Sequence, residues 1–338
     1  MKIVITGHTG FIGRHLTERL LDHEIIGVSR STANGKLARS IQLDICNMTQ
    51  NKMEPYREDL EGADALIHLA AYRPIVRTGR EDSLVENFSV NVKGALNVLA
   101  MSRRFDIGRI ILASSKAVYG DRKSLFIESD VAKPVSNYGR SKLLAENVCE
   151  TFAECYGMHC TALRLASVFG LGMPNTLVLA NFLAKALKSE VITVHKHLTG
   201  YEKMDLIYVD DVLNAFEKAL SWKASTFEVF NVGSKSPIDT FDLAAKVIEA
   251  AESHSTIKIV ETNQTRRGVR LSIEKASAIL GWKPKFTIES GIVEFLSKME
   301  LEARPGYREL KENRSKQDLA SHDVENAVSL STKSASTS

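Results

Sequence analysis

The opening of the chain constrains the fold most. Lys2-Ile3-Val4-Ile5-Thr6 is a short, mostly β-branched run, the pattern of a strand buried on both faces of a parallel sheet. It leads directly into Gly7-His8-Thr9-Gly10-Phe11-Ile12-Gly13, after which apolar residues recur at Leu16, Leu20 and Leu21, a helical spacing. A strand feeding a glycine turn that opens a helix is the dinucleotide-binding unit. The glycines let the backbone approach a pyrophosphate, and the helix N-terminus stabilises its charge. The spacing is G-x-x-G-x-x-G rather than the G-x-G-x-x-G of many dehydrogenases, and a glycine triplet also serves as a plain structural turn. Its place directly after a strand gives it weight. Gly7, Gly10, Phe11, Ile12 and Gly13 are therefore candidate cofactor contacts.

The same alternation continues. Residues 24–29 read as a second strand ending in Ser29-Arg30-Ser31. A carboxylate at that place binds ribose hydroxyls, whereas an arginine suits a 2′-phosphate. Arg30 thus favours NADP(H), with NAD(H) possible; the plain alternative is an exposed loop charge. Residues 40–44 form a third short strand with Asp44 at its end, within reach of an adenine. Residues 65–71 form a fourth, closing in small residues that let a cofactor lie close. His68 precedes the strand end and reads as structural. A helix over 87–100 carries Asn91, placed to hydrogen-bond backbone within the sheet. Residues 109–114 deliver Ser114-Ser115-Lys116-Ala117-Val118-Tyr119-Gly120 at the carboxyl edge, where open α/β sheets place ligands. Strands follow at 160–168 and 228–233, and 206–212 leads into a helix through Phe216 and Leu220. The pattern predicts an α/β fold with a doubly wound parallel sheet. Residues 1–171 and 204–233 form the dinucleotide-binding domain. Residues 172–203 and 234–305 form a smaller interleaved C-terminal lobe for substrate, with helices at 176–188, 242–251 and 273–280. From 306 the chain loses aromatics and bulky periodicity, and a disordered tail is expected.

Tyr138-Gly139-Arg140-Ser141-Lys142 puts a phenol and an ammonium one helical turn apart, on one face. A nearby cation favours the phenolate and lowers a tyrosine pKa from its usual value near ~10. Tyr138 with Lys142 is a candidate general acid/base for a hydroxyl or ketone; the competing reading is a solvated pair on an ordinary helix. Net charge is +3, too small to argue for nucleic acid, and Lys185, Lys188, Lys196 and Lys203 read as solvated faces. No apolar run approaches the ~18 residues of a membrane span, and the apolar start is too short for a signal peptide. Four cysteines without C-x-x-C pairing suggest reduced thiols and a cytoplasmic protein. His195-x-His197 has metal-ligand spacing but no third ligand nearby in sequence, so no metal is expected.

Taken together, these motifs resemble the extended short-chain dehydrogenase/reductase family, in its branch of NAD(P)-dependent nucleotide-sugar epimerases and dehydratases. The resemblance runs over about residues 1–300 of the sequence. It rests on Gly7/Gly10/Gly13, Asp44-Ile45, His68-Leu69-Ala70-Ala71, Asn91, Ser114-Ser115 with Val118-Tyr119-Gly120, Tyr138-x-x-x-Lys142, Arg164 and Tyr208-Val209-Asp210-Asp211-Val212. Phe230-Asn231-Val232-Gly233 and Leu280-Gly281-Trp282-Lys283-Pro284 extend it. The resemblance implies a Rossmann-type sheet and a Ser115/Tyr138/Lys142 triad. Ser115 bonds the substrate oxygen, Tyr138 exchanges its proton, and Lys142 binds the nicotinamide ribose and lowers the tyrosine pKa. Ile45, Leu69, Ala70, Ala71 and Asn91 join the implied cofactor contacts, and a homodimer through helices 87–100 and 138–152 is implied.

Departures narrow the chemistry. Family dehydratases carry Thr-Asp-Glu where this chain has Ser115-Lys116-Ala117, so the carboxylates that eliminate water are missing. Many members have Asn at Ser167 and Arg at Met204, groups that help hold the nucleotide diphosphate. Arg266, Arg267 or Arg270 can take over that duty, and Asn175 is a further contact. Ser115, Lys116, Ser167, Asn175 and Arg267 are the candidate substrate contacts. The expected activity is hydride transfer at a sugar carbon, as a nucleotide-sugar epimerase or 4-ketoreductase. The alternatives are an NADPH-dependent reductase of a non-nucleotide carbonyl compound, motivated by Ser167 and Met204, and a non-catalytic dinucleotide sensor, against which the intact triad argues.

Overall fold

A computed structural model describes residues 1–31, 37, 39–73, 83–121, 125–222, 226–265 and 268–303. Arg266, Arg267 and the tail from 306 lie outside the described residues. Seven strands make the large sheet: β1 (Lys2–Thr6), β2 (Glu24–Ser29), β3 (Arg39–Gln42), β4 (Ala65–His68), β5 (Arg109–Ser115), β6 (His159–Leu165) and β7 (Phe227–Val232). They lie in the order β7-β6-β5-β4-β1-β2-β3, every pair parallel. The strand order reverses between β1 and β4, which opens a crevice above their carboxyl ends.

Helices cover both faces. On one lie α1 (Phe11–Arg19) and α5 (Val209–Ser221), which pack together and are joined by Arg19 and Glu217, 3.0 Å apart. On the other lie α2 (Gly94–Arg104) and α3 (Asn137–Tyr156), with α4 (Val178–Ala186) between α3 and α5 in the chain. Val4, Leu66, Ile110, Leu112, Cys160 and Ala162 share one apolar core with Val98, Ala145 and Phe152 of α2 and α3. Because successive strand residues point to opposite faces, Ile3 and Ile5 fill the other layer. This double burial is why the strands read as unbroken apolar runs.

The sequence expectations fail at partner exchanges. Residues 160–168 are two strands. Ala166 donates its amide to the Val232 carbonyl, and Ser167 donates to the Asp205 carbonyl. The chain thus leaves the large sheet at Ala166, and Ser167–Phe169 pairs in parallel with Leu206–Tyr208. The third strand stops at Gln42 because the Asp44 carboxylate turns back to accept the Cys46 amide at 3.0 Å. The expected helix over 87–100 begins at Leu84 and ends at Arg104, with one π-helical turn, Phe88–Lys93, inside it. Small sheets stand beyond the large one. Ile192–His197 pairs with Gly200–Tyr201 and Ile257–Glu261, and Lys203–Met204 pairs with Ile238–Asp239. The chain divides into two compact units, Met1–Ile292 and Val293–Ser338. The described part of the second is the end of the helix Ile288–Ala303, carrying an ion pair one turn apart, Lys298 to Glu294 at 3.3 Å.

Candidate active site

A cavity of about 740 Å³ opens above the carboxyl ends of β1, β4, β5 and β6, and its wall includes Gly7, Gly10, Phe11, Ile12 and Gly13. Gly10 begins α1 with extended backbone, no side chain caps the helix, and no acidic residue stands in its first turn. Among the described residues no side chain caps the first turn of α1, and Gly10, Phe11, Ile12 and Gly13 line the cavity, as a phosphate site at a helix N-terminus requires. The glycines make this approach possible. A Cβ at Gly13 would lie 2.3 Å from the Gly7 carbonyl oxygen, and one at Gly7 would lie 2.6 Å from the Ala70 amide nitrogen. This cradle fits the pyrophosphate of a dinucleotide.

The opposite wall is built by β5 and α3. Ser136 caps α3, its hydroxyl accepting the Gly139 amide at 3.0 Å. Gly139 lies so near the loop after β5 that a Cβ there would be 2.4 Å from the Ala117 carbonyl oxygen. That contact sets Tyr138 beside Ser115, and both line the cavity with Lys142. Burial pushes the Tyr138 phenol above its ordinary pKa; Arg73 and a hydrogen bond from Ser115 pull the other way. The charge set against burial at the phenol is that of Arg73, which stands in the cavity wall together with Lys142. Lys142 is itself buried, and desolvation brings its ammonium down to about 8 against a partial opposing pull from Glu146.

Comparisons with known proteins place this geometry. The model of the NAD dependent epimerase/dehydratase family matches residues 3–233. The chain belongs to that family. Among curated relatives, a putative UDP-glucose 4-epimerase of Methanocaldococcus jannaschii is 30% identical over 301 residues, covering 86% of this chain and 95% of the relative. Among solved structures, UDP-glucose 4-epimerase of Thermotoga maritima with UDP-glucose superposes with TM-score 0.78 at 26% identity, covering 90% of this chain and 100% of that one. Thermus thermophilus UDP-glucose 4-epimerase in complex with NAD shares the fold, with TM-score 0.77 at 24% identity over 89% of this chain and 99% of that one. As a family member the chain is an NAD-dependent enzyme of the extended short-chain dehydrogenase/reductase type. Among the described residues no helix is long and apolar enough to cross a membrane.

Of the residues singled out from the sequence, Leu69, Ala71, Ser115, Lys116, Tyr138, Lys142 and Ser167 line the cavity with the glycine turn. Arg30, Asp44, Ile45, Ala70, Asn91 and Asn175 stand outside that lining. Ile45 is packed in the core against the face of α2 at Gly94. The Ala70 amide instead donates to Thr6 Oγ1 at 3.5 Å. Against desolvation, hydrogen bonds from Cys46 and Asn47 hold the Asp44 carboxyl below the usual range, and the charge of the exposed Arg30 adds the smallest part. Asn175 is exposed, and its neighbour Pro174 reaches the wall instead. Asn91 does not bond within the sheet. It accepts the Tyr72 amide at 2.7 Å, and it donates to the Tyr72 carbonyl at 3.0 Å and to Ser141 at 2.9 Å. It thereby pins the segment that carries Arg73 to the helix that carries Tyr138. His68 is buried and shares a 2.6 Å hydrogen bond with Thr6; burial and then Lys142 bring its pKa to about 3. His197 shares a 2.7 Å hydrogen bond with Thr262.

Two groups were missed in the sequence. Arg73 sits in a loop and carries no local signal. Glu146 lies one turn beyond Lys142 on the same stripe of α3, and an acid on a helix's buried face was the available sign. Glu146 accepts Ser114 of β5 and a two-pronged bond from Arg164 of β6, the nearest contact 2.7 Å. The Arg164 guanidinium also lies over the Tyr119 ring at 4.7 Å, and the Tyr119 hydroxyl donates to Asn231 at 2.7 Å. This buried network locks β5, β6, β7 and α3 directly beneath the Ser115/Tyr138/Lys142 cluster.

Proposed function

We propose that the chain transfers hydride at C4 of a nucleotide-linked sugar, as a 4-epimerase, with Tyr138 as general acid/base. The observation that carries this reading is the meeting of Ser115, Tyr138 and Lys142 in one cavity with the glycine cradle. A bound nicotinamide dinucleotide supplies the chemistry of taking hydride from the sugar carbon and returning it. The turn 7–13 would hold its pyrophosphate, and Lys142 its ribose. Ser115 donates a hydrogen bond to the reacting sugar oxygen and orients it against the phenol. In the epimerase cycle the Tyr138 phenolate would take the proton of the C4 hydroxyl as hydride leaves C4, and the phenol so formed would return that proton to the 4-keto oxygen as hydride comes back; Arg73 and Ser115 favour the phenolate against the burial that raises its pKa. The dinucleotide-binding part is assigned to 1–171 and 204–233, and the substrate part to 172–203 and 234–305. The relatives' names support a uridine diphosphate sugar, with Ser167 and Met204 in the cavity wall.

A second reading, an NADPH-dependent 4-ketoreductase, is favoured by Arg30, whose guanidinium would donate to a 2′-phosphate. Asp44 stands within reach of the same charge and opposes it. The NAD named with the Thermus structure supports the first reading. The test is turnover of UDP-glucose by the purified protein without added cofactor. Interconversion of C4 epimers with cofactor retained through purification supports the epimerase. Turnover of a 4-keto sugar only on repeated addition of NADPH would establish the ketoreductase. We also assign a homodimer through α2 and α3, supported by Leu96 and Leu144, which stand 46% and 37% exposed on those helices.

A further inference from the structure

Asp205 stands between the strands Lys203–Met204 and Leu206–Tyr208, where the chain returns from the part assigned to substrate. Its side chain is buried, 1% exposed. Oδ1 accepts the Ser234 amide at 2.7 Å and the Ser234 hydroxyl at 2.8 Å, and Oδ2 accepts the Leu271 amide at 2.9 Å. Ser234 opens the second passage into the substrate part, after β7 ends at Val232. The Asp205 backbone carbonyl accepts the Ser167 amide at 3.1 Å and the Lys116 ammonium at 3.4 Å. The fit leaves no room for a side chain beside it: a Cβ at Gly233 would lie 2.8 Å from Oδ2 and 3.1 Å from the Leu271 Cβ. One residue thus joins four segments that are far apart in sequence. Most of what it joins forms cavity wall. Lys116 and Ser167 line the cavity themselves, Met204 precedes Asp205, and Val269 stands two residues before Leu271. Tyr138 is fixed by other groups, the Ser136 cap and the close contact of Gly139 with Ala117. A buried carboxylate with its acceptors filled stiffens whatever it joins.

We propose that Asp205 is a positioning residue for the substrate: it fixes the wall formed around Lys116, Ser167, Met204 and Val269, and takes no part in holding the cofactor or moving the proton. The inference rests on the nucleotide-sugar reading above and adds the residue that sets substrate affinity. Replacing one carboxylate oxygen by an NH2, as in Asp205→Asn, tests it with little change of shape. Ser234 brings two donors and Leu271 brings one, so the remaining oxygen stays with Ser234. The NH2 then faces the Leu271 N–H, two buried donors without an acceptor between them, and the segment that carries Val269 loosens.

The experiment is calorimetric titration with NAD, then of the cofactor-loaded protein with UDP-glucose, in wild type, Asp205→Asn, Ser234→Ala and Ser234→Thr. Steady-state kinetics of C4 interconversion and amide hydrogen exchange accompany it. Asp205→Asn should bind NAD as wild type does and UDP-glucose about 10- to 100-fold more weakly. KM should rise with kcat close to wild type, the mark of lost substrate binding rather than lost chemistry. The Leu271 amide should exchange faster while the amides of β1 stay protected. Ser234→Ala should weaken UDP-glucose binding in the same direction by less, and Ser234→Thr, which keeps the hydroxyl, should restore most of it. An equal loss of NAD and UDP-glucose affinity in Asp205→Asn would make Asp205 a general support of the fold and overturn the proposal. A fall in kcat at unchanged KM would also overturn it. If Asp205→Asn does not fold, the Ser234 variants decide, and Ser234→Ala with wild-type affinity for UDP-glucose refutes the role. Wild type that binds NAD but not UDP-glucose would defeat the nucleotide-sugar reading, and this inference with it.

Discussion

Replacing Lys142 by methionine should make the protein more stable at neutral pH and nearly inactive. The ammonium is held beneath Tyr138 in a site that disfavours its charge: its pKa falls from 10.5 to about 8, chiefly through burial. The distance from 10.5 to about 8 corresponds to about 3 kcal/mol. Because the folded pKa lies below the unfolded one, the unfolded chain binds the extra proton between those two values. Stability contributed by this residue therefore rises with pH across that window, and the full cost is present below pH about 8. Methionine has a similar length and no charge to bury, and Glu146 keeps its pairing with Arg164. The assay is urea unfolding of wild type and Lys142→Met, freed of bound nucleotide, at pH 7 and near pH 10. The variant should gain on the order of 1–3 kcal/mol at pH 7, and most of that gain should vanish near pH 10. A variant less stable than wild type at pH 7, or a difference that does not change with pH, would refute the reasoning.

Three further outcomes are expected. Glu146→Gln leaves Arg164 buried without its counter-charge and should cost about 3–5 kcal/mol, read from the urea midpoint; a loss below ~1 kcal/mol would show that the network carries little. Arg30→Ala should weaken NADP(H) binding more than NAD(H) binding in fluorescence titrations, and equal weakening of both would point to stacking on the adenine instead. Sedimentation at micromolar concentration should find a dimer, which a charged substitution at Leu96 or Leu144 shifts toward monomer; a wild-type monomer would remove the α2–α3 interface.

Much of the architecture was legible because its signals are local. β1, the glycine turn and α1 are contiguous in sequence, so pattern and structure coincide there. Tyr138 and Lys142 could be paired because one helix carries both. What failed depends on distant partners. The break at Ala166 is set by the carbonyls of Val232 and Asp205, which no periodicity around residue 166 reveals. Asp44 looked like the end of a strand and is the side-chain cap of the turn that follows. Asn91 was singled out from its place on a helix, yet its work is to fix Tyr72 and Ser141. Arg73, which opposes the effect of burial at Tyr138, was not legible for the same reason: it arrives from the loop after β4.

The central claim is that Tyr138 carries the proton for hydride transfer at a sugar carbon. It is tested most directly by Tyr138→Phe, followed by nuclear magnetic resonance of a UDP-sugar substrate alongside cofactor titration. The substitution removes the transferable proton and little else. C4 interconversion should slow by about 100- to 10,000-fold, with cofactor affinity close to that of wild type. Undiminished interconversion in the pure Tyr138→Phe protein would contradict the account.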